Sequence, residues 1–316
     1  MNNRLQAPEQ SEALVAVLQW LKRQQYEFTT ITPASHSLVN QRPGNETARD
    51  ITGILGWSRL FTAEIAGREL FDLLQQANVL SAEGGLWRCS LRVSSLAGHL
   101  FLHSAFPTTD GDTVFFGPDT YRFANAISQY LALHKPHVQR AVDIGTGSGA
   151  AATLLAQEFP GAQVYGVDIN EQSLKLAHVN GVASGLTNLH WRFSNLLNDL
   201  EGEFGLIVAN PPYLVDDSAR IYRHGGGLLG AELSLKIVEA AMQRLAPNGV
   251  LLLYTGVAIV DGRDLFLSAI KTLSNIGNMQ YEYREIDPDI FGEELQNPAY
   301  VDADRLAAVV LTLRKL

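Results

Sequence analysis

Ala141-Val142-Asp143-Ile144-Gly145-Thr146-Gly147-Ser148-Gly149 is the stretch that decides the fold. Residues 140–144 read as a short buried strand, and 150–158 as an Ala/Leu helix, so the glycines stand at a strand-to-helix turn. Glycine lets the backbone turn sharply and lets a ligand approach the main chain. Working outward, strand patterns at 164–167, 190–193, 206–209 and 250–254 alternate with helical patterns at 121–133, 171–183, 231–245 and 264–272. This alternation predicts an α/β fold, a mostly parallel sheet with helices on both faces. The strands at 281–286 and 307–313 have no helical pattern between them and predict an antiparallel edge.

In an open sheet of this kind, ligands bind at the carboxyl ends of the strands. Asp168 closes the second strand, where a carboxylate can accept the protons of two ribose hydroxyls. Gly145, Gly147 and Ala150 also fit the GxGxxA pattern of dinucleotide sites, which alone is weak. Asp143, two residues before the first glycine, argues against that ligand, because it would repel a pyrophosphate and attract a cation. S-adenosylmethionine, with its ammonium and sulfonium, fits better. Ser194-Asn195 ends the third strand and suits either an adenine contact or a helix N-cap.

Strand 206–209 runs into Asn210-Pro211-Pro212-Tyr213. A planar nitrogen has its lone pair delocalised and must be drawn toward tetrahedral geometry before it attacks a methyl group. The Asn210 side-chain oxygen and the Pro211 carbonyl supply two acceptors for its N–H groups. Proline fixes φ and carries no N–H, which stiffens the chain that holds the carbonyl. Tyr213 offers a flat face to a planar group.

The 316 residues, 46% hydrophobic and 18% charged, suit two domains with a sizeable core. A net charge of −9 weighs against an obligate nucleic-acid binder, although Arg220, Arg223 and His224 cluster after the tetrad. Cys89 is the one cysteine, so no intrachain disulfide forms. No Cys/His spacing for a metal occurs. Residues 1–10 lack a signal-peptide core, and the longest apolar run, 250–260, is too short for a bilayer. These features predict a cytoplasmic protein without a membrane partner. We expect an N-terminal substrate-recognition domain over 1–105 and a catalytic domain over 106–316, divided at the Pro/Thr/Asp/Gly cluster 106–112. In the first, an amphipathic helix at 9–25, a second helix at 69–76 and a two-stranded wing of 86–93 against 98–103 predict a winged-helix-like module. The four tryptophans, Trp191 among them, read as core.

Together these residues resemble the class I methyltransferases with an NPPY motif, in particular the HemK-like protein-glutamine methyltransferases. The resemblance covers about 114–256 and extends to Phe116-Gly117-Pro118-Asp119-Thr120, to Gly225-Gly226-Gly227-Leu228-Leu229-Gly230 and to Leu245-Ala246-Pro247-Asn248-Gly249. It implies a Rossmann-like seven-stranded sheet and S-adenosylmethionine as cofactor. It assigns cofactor binding to Asp143, Gly145, Thr146, Gly147, Gly149, Asp168, Ile169, Asn195, Asn210, Phe116 and Thr120. Asn210, Pro211 and Tyr213 become the catalytic positions. Asn195 replaces an acid usual in the family, and Gly117 stands where an arginine is usual. The N-terminal hundred residues and the tail 287–316, with Phe291-Gly292-Glu293-Glu294, have no counterpart in it; Glu293-Glu294 reads as a solvated face. The leading expectation is methylation of a glutamine side chain in a protein. The alternative is an exocyclic base amine of a nucleic acid, which must be flipped out or unpaired. A small-molecule acceptor and a non-catalytic binding module complete the readings.

Overall fold

A computed structural model describes residues 8–108, 111–215, 223–273 and 278–316. Arg220 lies outside the described residues. In chain order the elements are α1 (Pro8–Arg23), α2 (Pro33–Asn40), α3 (Ile51–Leu55), α4 (Ala63–Ala66), α5 (Arg68–Gln76), β1 (Leu80–Glu83), β2 (Leu86–Cys89), β3 (Leu91–Leu96) and β4 (His99–Ser104). There follow α6 (Pro118–His134), β5 (Arg140–Ile144), α7 (Ala150–Glu158), β6 (Gln163–Asp168), α8 (Glu171–Ser184), β7 (Leu189–Phe193) and β8 (Phe204–Ala209). The chain ends with α9 (Glu232–Arg244), β9 (Leu245–Val260), β10 (Arg263–Asp264), α10 (Leu265–Thr272), β11 (Met279–Asp287) and β12 (Arg305–Lys315).

The main sheet has the order β11-β12-β9-β8-β5-β6-β7, and the two-residue β10 pairs with β9 as an eighth strand. The expected count of seven therefore gains one short member. From β9 to β7 the pairing is parallel; β12 and β11 are antiparallel. Strand β5 is the first of the parallel set, and the chain adds β6 and β7 on one side of it and β8 and β9 on the other. The crevice of such a sheet opens at this reversal, outside the carboxyl ends of β5 and β8. Ala141, Val142 and Ile207 are 0% exposed, as expected where helices cover both faces.

The N-terminal region is helical and carries two hairpins instead of the one expected wing. The stretch 86–93 breaks at Ser90: β2 pairs back with β1 and β3 pairs forward with β4. Gly84-Gly85 and Ala97-Gly98 make the two turns, all at positive φ, which is the backbone that two-residue hairpins require. Residues 32–47 contain α2, started by Pro33 and capped by the Thr32 side chain. This region shares a core with the sheet domain: Leu14, Leu21 and Leu102 pack in one cluster with Leu176 and Val179 of α8. Asn180 ties the two parts together. Its carboxamide brackets Leu102 of β4, accepting from the backbone N–H at 2.9 Å and donating to the carbonyl at 3.1 Å. It also donates to Ser148 O at 2.8 Å, in the glycine turn. Among the described residues no helix is long and apolar enough to cross a membrane.

Candidate active site

The glycine turn leaves β5 with Gly145, Gly147 and Gly149 all at positive φ. Gly145 N and Thr146 N donate to Val167 O, each at 2.9 Å, which binds the turn to β6. A Cβ at Gly145 or Gly147 would meet nothing within 4 Å, so the main chain there borders open space. Gly149 differs. A Cβ on it would come within 2.8 Å of the Trp191 ring, and Gly166 and Gly181 border the same ring. Three glycines thus form a slot for Trp191, which packs against the core as expected.

Two carboxylates brace the turn. Asp143 is buried, and its Oδ2 accepts from the Thr146 hydroxyl at 2.6 Å and from Ala152 N at 3.2 Å. Burial pushes its carboxyl up to about 7, against these two bonds and together with nearby Asp168. Asp168 accepts from Gly147 N and Asn170 N, each at 2.9 Å. Burial raises its pKa as well, opposed by the backbone N–H groups it accepts from.

A cavity spans these groups and the tetrad. Its walls include Asp143, Gly145, Thr146, Gly147, Asp168, Ile169 and Asn195 at one end, and Asn210, Pro211, Pro212 and Tyr213 at the other, with Thr120 also on the wall. Two expected residues stand outside it. Phe116 is 0% exposed, in a small core with Phe101 and Ala150, and stacks on His103 at 5.1 Å; Phe115 lines the cavity instead. Gly149 belongs to the Trp191 slot.

Tyr213 is buried, its ring resting against Gly256. Its hydroxyl lies beside Asp119 without reaching hydrogen-bond geometry. Burial, then the charge of Asp119, holds this phenol well above its usual pKa, so it stays neutral. Asp119 accepts from the Tyr254 hydroxyl at 2.5 Å and from Arg122 at 3.3 Å. Arg122 also pairs with Asp287 at 2.8 Å. Sequence reasoning missed three further contributors. Pro33 of α2 reaches the cavity wall, as do Arg223 and Phe291. Arg223 pairs with Glu294, which is only 13% exposed and so no solvated face. Arg223 and Phe291 stood out in the sequence without a place at the site, because tertiary packing brings each of the three to the cavity.

Fold and cavity together define an open α/β protein whose cavity lies at the topological reversal of a parallel sheet. Residues 126–258 match the family model of the methyltransferase small domain. The ribosomal protein uL3 glutamine methyltransferase of Neisseria meningitidis serogroup A is 35% identical over 147 residues, 43% of this chain and 47% of the relative. The release factor glutamine methyltransferase of Deinococcus radiodurans is 34% identical over 157 residues, 46% of this chain and 55% of the relative. The chain thus matches about half the length of these relatives. Among solved structures, the ribosomal protein L11 methylase of Lactobacillus delbrueckii subsp. bulgaricus aligns with a TM-score of 0.42 at 20% identity, over 62% of this chain and 80% of that one.

Proposed function

We propose that this protein transfers a methyl group from S-adenosylmethionine to the side-chain amide nitrogen of a glutamine in a protein of the translation apparatus. The observation that carries the reading is that the braced glycine turn and the Asn210–Tyr213 tetrad line one cavity. The residues present fit the cofactor: a buried carboxylate at Asp143 suits a cation, Asp168 keeps lone pairs for ribose hydroxyls, and Gly145 and Gly147 leave room for close approach. When bound, S-adenosylmethionine supplies the electrophilic methyl group. The Asn210 side-chain oxygen and the Pro211 carbonyl accept the two amide N–H groups and orient the nitrogen. Such positioning contributes about 7–11 kcal/mol in well-aligned cases. Tyr213, neutral and held against Gly256, bounds the plane of the amide. No strong base is required, since the product nitrogen loses its proton after transfer.

The glutamine reading is favoured over a base amine by charge. Arg223 is paired with Glu294 and Arg122 with Asp119 and Asp287, so among the described residues both arginines at this end are matched by carboxylates. The relatives are named for ribosomal protein uL3 and for release factor, which supports a substrate in the translation apparatus and a cytoplasmic location for the protein. We assign acceptor recognition to residues 1–105 and chemistry to 106–316. The test incubates the purified protein with methyl-labelled cofactor and, separately, ribosomal proteins, release factors and RNA from the source organism. Label on glutamine is expected; label on RNA alone would overturn the reading.

Cofactor binding should depend on pH through Asp143. The unfolded chain releases this proton near pH 3.9, whereas the ligand-free fold holds it to about 7. Between those values the folded state binds more protons, so rising pH lowers the stability of the ligand-free protein. A bound cation favours the carboxylate. Affinity therefore rises between about pH 6 and 7.5, and binding releases close to one proton per site at about pH 6 and almost none by about pH 8.5. Calorimetry in buffers of different ionisation enthalpy measures this. In Asp143→Asn the proton release disappears; its persistence there would assign it to another group.

A further inference from the structure

The connection between β11 and β12 carries no helical pattern in the sequence, yet it makes specific contacts beside the cavity. It holds Val215 and Arg223, the described residues that flank 216–222. On the near side, Val215 N donates to the Tyr300 hydroxyl at 2.8 Å, and Asn297 Nδ2 donates to Val215 O at 3.4 Å. On the far side, Arg223 pairs with Glu294. Tyr300 is 1% exposed, so this anchor is part of the core. Three residues before Glu294 stands Phe291, whose ring centre lies 6.4 Å from that of Tyr213 and which lines the cavity.

Phe291 has φ 51°, a left-handed backbone that bulky residues avoid. Such a conformation persists only where the surroundings over-determine it. Here Ile290 N donates to Leu306 O and Glu294 N donates to Phe291 O, each at 2.8 Å, which holds the turn on either side. The chain thus carries an aromatic ring on a strained backbone at the acceptor end of the cavity, opposite the tyrosine of the tetrad.

We propose that Phe291 is a specificity-determining residue: its ring forms the outer wall of the acceptor pocket and packs on the flat carboxamide and methylene stem of the incoming side chain. This rests on the amide-methyltransferase reading above. The wall acts on acceptor binding and leaves the cofactor end untouched, since Asp143, Gly145 and Asp168 lie on other elements.

The test compares wild type with Phe291→Gly, Phe291→Leu and Phe291→Tyr. Glycine suits the positive φ, so that variant removes the ring without adding backbone strain. Leucine keeps apolar packing and serves as the second variant should the glycine protein fail to fold. Cofactor affinity, measured by calorimetry, stays within about twofold in all three. With ribosomal proteins and release factors of the source organism as acceptor, in serial dilution, the apparent KM rises about tenfold in Phe291→Gly and about threefold in Phe291→Leu. Phe291→Tyr remains within about twofold, and kcat stays within about threefold throughout, the signature of lost binding common to ground and transition states. An unmoved KM in the folded glycine or leucine variant overturns the wall alone. A wild-type protein that labels no amide overturns the function and the wall together.

Discussion

In the Asn210→Ala variant, methyl transfer slows by about a hundred- to a thousandfold, the usual loss when one preorganised polar contact leaves an active site. Cofactor affinity changes by less than about threefold, because the glycine turn and its two carboxylates are untouched. The expectation follows from where the residue sits. β8 is held between β5 and β9, and Val208 and Ala209, just before the tetrad, are 0% exposed. The strand end therefore cannot shift to compensate, and two prolines stiffen the chain directly after it. The side-chain oxygen of Asn210 is a fixed acceptor at the cavity wall. Single-turnover rates at saturating cofactor isolate the chemical step. A rate within tenfold of wild type would remove Asn210 from the role assigned to it.

Gly225→Ala should also be severe, although Gly225 is outside the tetrad. A Cβ there would strike Gly230 O and come within 2.7 Å of Tyr213 Cα and 2.8 Å of Gly230 C. All three are main-chain atoms, so no side chain can swing away. Gly225 N also donates to Leu214 O at 2.8 Å, and Gly225 O accepts from Leu233 N at 2.9 Å, which leaves the segment little freedom to retreat. Either the 225–230 segment or the tetrad backbone must move. Overpacking of this kind costs about 1–3 kcal/mol, and a displacement of about 1 Å at a reacting group costs about a hundredfold in rate. We expect both losses together: a lower melting temperature and a turnover reduced by about two orders of magnitude. Gly161→Ala is the control, since a Cβ there meets nothing within 4 Å. Wild-type turnover in Gly225→Ala would show that the tetrad does not depend on this backbone packing.

Much of the sheet domain could be read locally. Apart from ends, the expected strands from 140–144 to 307–313 coincide with β5 to β8, β11 and β12, and the helices with α6 to α10; β9, expected at 250–254, runs from Leu245 to Val260. The reason is physical: a strand buried on both faces needs an unbroken apolar run, and a covering helix needs a 3.6-residue stripe. The N-terminal region was harder. A run such as Leu86–Val93 has strand composition throughout, and only its pairing partners reveal that it splits at Ser90. The Gly84-Gly85 pair carried the missing signal, since two adjacent glycines between apolar stretches favour a two-residue hairpin.

The candidate site divides in the same way. Asp143, the glycine turn, Asp168 and Asn210–Tyr213 lie at or just beyond the ends of strands whose order and direction set where they meet, so their convergence was legible in the sequence. Which aromatic of Phe115-Phe116 faces the cavity was not, because neighbours in sequence differ only by the face they present. Nor was the service of Gly149 to Trp191, or the pairing of Arg223 with Glu294 across 71 residues. The sequence by itself determined the chemistry of the strand ends and the order in which they occur, since glycine, proline and apolar periodicity act over a few residues. Only the tertiary structure decided how Asp143 is buried until its carboxyl resists ionisation, and which ring closes the acceptor end, because burial and distant contacts exist only once the chain has packed.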